Sequence, residues 1–304
     1  MKKIITVAGS VNMDMVINSP RMPEIGESII GRGFFLSPGG KGANQAIACA
    51  KMGAETFFLG RVGNDVFGGS LRDSLNKNGV DTKYLTDADV STGVAMITII
   101  DGDNCIVTDA GGNAKFTPEI AEAHKNVFLE SDAVLLQLEI PIETNIKIIE
   151  ICNGRTPIFL NPAPAAVIDK KIFNSVDYFT PNETEAFFYT GLKINSISDA
   201  FETLDKLKEL GIKNPVVTLG KRGAVFFDGI KNVHAKAFTV TPVDTTAAGD
   251  TFAGALAFMI VNGNPLADAV DFAQAAAALS VTKNGAQNSI PNYNEVIAFM
   301  GARQ

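Results

Sequence analysis

Cysteine and histidine are scarce in this 304-residue chain, which has three of the first and two of the second. Cys49, Cys105 and Cys152 are odd in number, far apart and without a CxxC spacing. That argues against a disulfide framework and for reduced thiols in the cytoplasm. His124 and His234 are too few and too isolated for a zinc cluster. Basic blocks are also missing: 26 Lys and Arg stand against 33 Asp and Glu, a net charge of −7. Without such a footprint the chain is not expected to bind nucleic acid. The opening MKKIITVAGSVNMD turns polar after a handful of apolar residues, so neither a signal peptide nor a membrane span is expected. The protein is expected in the cytoplasm, where the acceptor-like tripeptide Asn182-Glu183-Thr184 has no meaning for glycosylation. No repeat, low-complexity tract or long Pro/Gly/Ser linker divides the chain.

What the chain does have is alternation. Strand-like runs at Ile4 to Val7, Val134 to Leu138, Pro157 to Leu160 and Val216 to Leu219 alternate with helical patterns. The helical patterns are Ala43 to Met52, Pro118 to Leu129, Ile142 to Ile151 and Ala200 to Leu210. This predicts an α/β fold, a mostly parallel central sheet with helices on both faces. The last third reads as helical over Phe252 to Val261, Pro265 to Val281 and Tyr293 to Met300. Glu27 to Leu36, and the pair GVAMITII and CIVTDA joined at Asp101-Gly102-Asp103-Asn104, break the rhythm as strands with a hairpin signal. They predict a small β-sheet lid, from about residues 12–37 and 92–110, inserted in one domain spanning 1–304. Ile29, Ile30, Phe34 and Phe35 put apolar residues on both lid faces, which calls for a ligand or a second subunit as cover.

The segment VDTTAAGDTFAG, Val243 to Gly254, opens a helix with two glycines, two alanines and one carboxylate. Glycine costs a helix about 0.5–1 kcal/mol relative to alanine, so the bare backbone serves something else. A helix start offers unpaired N–H groups and partial positive charge to an anion. Asp250 reads either as a routine first-turn acid or as an ionised base beside a phosphate. Asn12 and Asp14, two residues apart at the end of the first strand, are either solvated or a grip on neighbouring hydroxyls.

SPGGKGANQA, Ser37 to Ala46, is neither a P-loop, since Gly42 follows Lys41, nor a GxGxxG turn. It is a tight turn and cap, or a bare loop meeting a polar ligand with Asn44 beside it. Glu139 and Asn161 stand at strand ends. Asn182 with Glu185 matches a capping box. Lys221 and Arg222 sit in a turn between two strands, solvated or near phosphates.

GSVNMD, GGKGANQA, QLE, NPAPA, PNETEA, TLGKRG, DTTAAGDTF and KNGAQNSIP together resemble, in order and nearly end to end, the ribokinase-like family of sugar and nucleoside kinases. The resemblance implies transfer of the γ-phosphate of ATP to the 5-hydroxyl of D-ribose, with Mg2+ accompanying ATP and K+ as activator. It implies that Asp250 is the base and that the amides of Ala247, Ala248 and Gly249 form the anion hole. Asn12, Asp14, Gly40, Lys41, Gly42, Ala43, Asn44 and Glu139 match sugar positions. Asn182, Thr218, Leu219, Gly220, Lys221, Arg222 and Gly223 match nucleotide contacts. Gln274 stands where the family often has histidine near adenine. Glu185 matches an acid linked indirectly to Mg2+. Asp244, Thr246, Ser280, Lys283, Gly285 and Ser289 match the loops that hold K+ through backbone carbonyls. Ile140 replaces a small polar residue and is expected to trim the sugar pocket. A homodimer through the lid is implied. Alternatives are a kinase for deoxyribose, fructose or adenosine, or a non-catalytic sugar-binding regulator, against which an intact Asp250 beside AAG speaks.

Overall fold

The computed structural model describes residues 2–101 and 103–302. The strands are β1 (Ile4–Ala8), β2 (Asn12–Asn18), β3 (Arg32–Gly39), β4 (Glu55–Gly63), β5 (Val80–Ala88), β6 (Gly93–Ile100) and β7 (Asp103–Asp109). They continue as β8 (Ala133–Gln137), β9 (Ile158–Asn161), β10 (Tyr178–Phe179), β11 (Asn214–Thr218), β12 (Ala224–Phe227) and β13 (Asn232–Ala235). Nine of them form one sheet in the order β13-β12-β11-β10-β9-β8-β1-β4-β5. Every pairing from β11 to β5 is parallel, and the β11–β12 and β12–β13 pairings at one edge are antiparallel.

A central parallel strand is covered on both faces and therefore reads as a continuous apolar run. In β8, AVLLQ, all five residues are buried. Alternation along the strands sends their side chains to opposite faces. Leu135 and Val216 join a core with the helices Lys41–Met52, Ala248–Val261 and Leu266–Ser280. Val134, Leu136 and Val217 join another with Ile142–Cys152 and Ile197–Glu209. Ile140 is buried in that second core, not turned toward the sugar loop as its sequence position suggested.

The second sheet has the order β3-β2-β6-β7. β2 pairs antiparallel with β3 and parallel with β6, and β6 pairs antiparallel with β7. Asp101 takes a left-handed conformation, φ 51, at the expected hairpin, while Gly102 lies outside the described residues. β3 starts at Arg32 instead of Glu27, because its partner β2 ends at Asn18, which pairs with Arg32; Gly33 at φ 62 and a register shift between Val16 and Asn18 fall inside the ladder. The helix expected over Pro118 to Leu129 is two, Pro118–Ala123 and Lys125–Leu129. The break falls at His124, whose N–H bonds back to Ala121 and whose ring meets the Ile120 carbonyl at 2.8 Å. Among the described residues no helix is long and apolar enough to cross a membrane.

Candidate active site

The helix Ala248–Val261 starts with no side-chain cap, and Ala247 at its N-cap has φ 61 and ψ 11. A left-handed alanine costs about 1–2 kcal/mol. The first turn's N–H groups have no partner inside the helix and no side-chain cap. Among the described residues the only backbone partner of the Ala247, Ala248 and Gly249 N–H groups is the Thr245 carbonyl, which accepts from Ala248 at 3.3 Å. The two glycines of this helix differ in purpose. A Cβ at Gly249 would meet nothing within 4 Å, so packing does not require glycine there. A Cβ at Gly254 would lie 2.6 Å from the Ala48 Cβ and 2.8 Å from the Gln45 carbonyl oxygen. Gly254 is bare so that two helices can cross closely, a reason unrelated to any anion.

That crossing brings the helix Lys41–Met52 against Asp250, which is only 6% exposed. Asn44 Nδ2 donates to Asp250 Oδ2 at 2.9 Å, and Gln45 Nε2 donates to Oδ1 at 3.1 Å. The Asn44 Oδ1 is buried with no partner. Lys41 is the shared countercharge. Burial works against its ammonium, but Asp250, Glu139 and Glu185 outweigh it and hold its pKa above the ordinary lysine value. Glu139 lies two residues past the end of β8, and it accepts from the Ser10 hydroxyl and, at 3.1 Å, from the Lys41 N–H.

Asn12 and Asp14 do not end the first core strand, as their sequence position suggested. β1 stops at Ala8, and both residues belong to the lid strand β2. Their alternation still puts them on one face. Gly39 faces Asp14 so closely that a Cβ would lie 2.4 Å from Asp14 Oδ2. Burial, reinforced by the charge of Glu139, pushes the Asp14 carboxyl up to about 7. Asn113, which sequence reasoning missed, donates from Nδ2 to Asn12 Oδ1 at 2.7 Å and brackets Val11 through its N–H and carbonyl. With its oxygen engaged, Asn12 presents its amide N–H groups. The signal was the GGN turn after the lid hairpin, where Gly111 has φ 47.

A cavity of about 210 Å3 lies over Asp250, lined among others by Lys41, Asn161, Asn182, Glu185, Thr245 and Gly249. Asn182 and Glu185 form the expected capping box, and they also reach this cavity. Burial raises the Glu185 pKa, with Asp250 adding to it against the Asn182 N–H and Lys41. Thr218, Thr245, Ala248, Gly249 and Phe252 are shared with a larger cavity of about 590 Å3, whose other walls include Phe238, Val240, Ala277 and Val281. Gly220, Lys221 and Gly223 line this slot. Gln274 lines it as well, and its Nε2 is buried without a partner. Arg222 does not line it, because its guanidinium pairs with Glu183 at 2.9 Å and donates to the carbonyls of Ile194 and Asn195. Leu219 is buried, 2% exposed, and lines neither cavity.

The loops around Asp244 and Gly285 are tied together. Asp244 accepts from the Thr246 N–H and hydroxyl through one oxygen and from the Gly285 N–H, at 2.9 Å, through the other. Burial alone would raise its pKa, but these donors hold it below the ordinary carboxylate value. Ser280 and Ser289 are fully buried and donate to the Ala277 and Ala286 carbonyls. The Lys283 ammonium pairs with Glu295 at 3.0 Å. Among the described residues no three His, Cys, Asp or Glu side chains converge as metal ligands.

The model of the pfkB family carbohydrate kinases matches residues 2–293. The ribokinase of Bacillus subtilis is 40% identical over 294 residues, 96% of this chain and 97% of its own. The deoxyribokinase of Salmonella typhimurium is 34% identical, covering 97% of this chain and 99% of its own. The structure of Arabidopsis thaliana ribokinase complexed with ribose and ATP matches with a TM-score of 0.93 and 33% identity, over 99% of both chains. A full-length family match, a relative at 40% identity and a shared fold leave one assignment: the chain belongs to the pfkB family of carbohydrate kinases.

Proposed function

We propose that the protein transfers the γ-phosphate of ATP to the 5-hydroxyl of D-ribose. The observation that carries this reading is the setting of Asp250. It is a buried carboxylate in the first turn of an uncapped helix, held by two amides from the loop-and-helix segment that also supplies Lys41. A phosphate at that helix start meets the amides of Ala247, Ala248 and Gly249, and Asp250 takes the proton of the attacking hydroxyl. Phosphoryl transfer asks little else of a protein than positioning and charge stabilisation. Asn12, as donor, and Asp14, as acceptor, hold sugar hydroxyls, together with the unpaired Asn44 Oδ1 and Glu139, while Gly42 and Ala43, whose N–H groups are taken by Ser10, keep the loop bare beside Gly40. The base of ATP enters the apolar slot, where the unpaired Gln274 amide waits for an acceptor.

Mg2+ bound with the nucleotide would neutralise phosphate charge. Both Glu185 oxygens already accept from Asn182, at 2.8 and 3.0 Å, which suits the indirect role of an acid reached through water. K+ would be held by backbone carbonyls of the Asp244 and Gly285 loops and would supply positive charge near the helix start. Asp244 ties these loops together, and the Lys283 charge is drawn off by Glu295. The lid leaves Phe34, Leu36, Met96, Ile106 and Val107 exposed, and a second copy covering them makes a homodimer.

A panel of ribose, deoxyribose, fructose and adenosine, followed by ADP release in KCl and in NaCl, tests the reading. The highest kcat/KM falls on ribose, because a site that bonds a hydroxyl rejects a substrate lacking it. Rates in K+ exceed those in Na+. Preference for deoxyribose would overturn the sugar assignment, and equal rates in both salts would overturn the cation site.

The Asp14 carboxyl adds a pH dependence. Being raised to about 7, it is protonated below that pH and accepts poorly from a sugar hydroxyl. Ribose affinity therefore falls as pH drops from 8 to 6, by roughly tenfold per unit below the break. Removing the Glu139 charge in Glu139→Gln moves the break to lower pH. Calorimetric titration with ribose across this range checks both, and a flat profile would remove the Asp14 contact.

A further inference from the structure

Gln45 is 1% exposed and lines neither cavity, yet it touches the carboxylate on which the proposed reaction depends. Its amide has a fixed direction. Gln137, fully buried at the end of β8, donates from Nε2 to Gln45 Oε1 at 2.7 Å. With that oxygen occupied, Gln45 Nε2 donates to Asp250 Oδ1 at 3.1 Å and approaches Asn161 Oδ1 at 3.3 Å. The reverse orientation would press a carbonyl oxygen against both the Asp250 carboxylate and Asn161 Oδ1. The surrounding backbone makes room for this order. A Cβ at Gly9 would lie 1.9 Å from Gln137 Oε1, and a Cβ at Gly254 would lie 2.8 Å from the Gln45 carbonyl oxygen.

We propose that Gln45, oriented by Gln137, is a positioning residue for Asp250, holding its carboxylate aimed at the acceptor hydroxyl without itself touching substrate. The proposal rests on Asp250 being the base. Most buried polar groups are hydrogen-bonded, and here the chain of amide donors runs from Gln137 Nε2 through Gln45 Nε2 to one carboxylate, with Gln137 Oε1 and Asn44 Oδ1 left without a partner. Neutral N–H donors favour the charged form of an acid and fix the direction of its free lone pairs. Asn44 serves the other oxygen, so each side of the carboxylate is tied and the remaining lone pairs are left to the cavity. A residue acting this way is read in kcat and its pH profile, not in KM.

The test compares pH profiles of kcat for wild type, Gln45→Met, Gln45→Glu and Asp250→Asn. Gln45→Met is expected to lower kcat by about 10–100-fold, taking the scale found when a partner that orients a metal ligand is lost. KM for ribose and ATP should stay within about twofold, while the acid limb of kcat moves up by about one pH unit. Gln45→Glu keeps the shape and sets a second carboxylate beside Asp250, so its acid limb moves further in the same direction. An unchanged acid limb in Gln45→Met, whatever the loss of kcat or melting temperature, would reduce Gln45 to packing and overturn the proposal. Should Gln45→Met fail to fold, an unchanged limb in Gln45→Glu overturns it instead. Near-normal turnover in Asp250→Asn identifies a different failure, that of the base assignment itself.

Discussion

Asp250→Asn is expected to bind ribose and ATP near normally and to turn over about 10^2–10^4-fold more slowly, the range that removal of a general base produces. The asparagine fills the same space beside Phe252 and Gly249, so the cavity keeps its shape. It cannot accept from both neighbours. One of its two positions is an amide nitrogen facing Asn44 or Gln45, and a single hydrogen bond is lost at a net cost of about 1 kcal/mol. Lys41 keeps Glu139 and Glu185 as countercharges, so its ammonium is not stranded. The loss is therefore confined to the proton-accepting step. ADP release paired with calorimetric binding checks it, and turnover within tenfold of wild type would remove Asp250 from the mechanism.

Gly42→Ala gives the second large effect, and it acts on the fold and the sugar loop together. The added methyl would stand 2.7 Å from the Ser10 nitrogen and 2.8 Å from the Gly9 Cα and carbonyl carbon, all of them backbone. Backbone cannot swing aside as a side-chain tip does. The helix must back away, and it takes with it the Gly42 N–H to Ser10 Oγ, Ala43 N–H to Ser10 carbonyl and Lys41 N–H to Glu139 bonds. Overpacking of this kind costs about 1–3 kcal/mol of stability. Ribose affinity falls with it, since Glu139 and Lys41 lose their alignment. Gly249→Ala is the control, because open space surrounds that position. It keeps the wild-type melting temperature, so any fall in its turnover reports on access to the helix-start amides. An undisturbed melting curve and ribose affinity in Gly42→Ala would show that the loop yields more than its contacts suggest.

The parallel sheet was legible because its strands are buried on both faces and stand out as apolar runs between helical periods. β10, two residues long, and β13, with every residue half-buried, carry no such pattern and were not read. β4 and β5 were missed for a different reason: charged and polar residues such as Arg61, Asp81 and Lys83 interrupt them where they approach the surface. At the site, Asn12, Asp14, Glu139 and Asp250 were readable as polar residues near strand or helix ends. Gln45 and Asn113 were not. Each acts only on another side chain, and such a pairing depends on a crossing or turn that no local spacing records. Gly254 was read with Gly249 as one feature, although tertiary contact alone separates a glycine kept for packing from one kept for access.

The chain passes from β1 to the lid in three residues, Gly9 to Val11, and this short crossing lies beside Asn12 and Asp14. Gly9, Ser10 and Val11 are buried, and the link is pinned on two sides, by the Gly9 N–H to the Leu59 carbonyl at 3.1 Å and by the Val11 N–H to Asn113 Oδ1 at 3.0 Å. Asn12 and Asp14 are therefore moored to the main sheet although they belong to the smaller one.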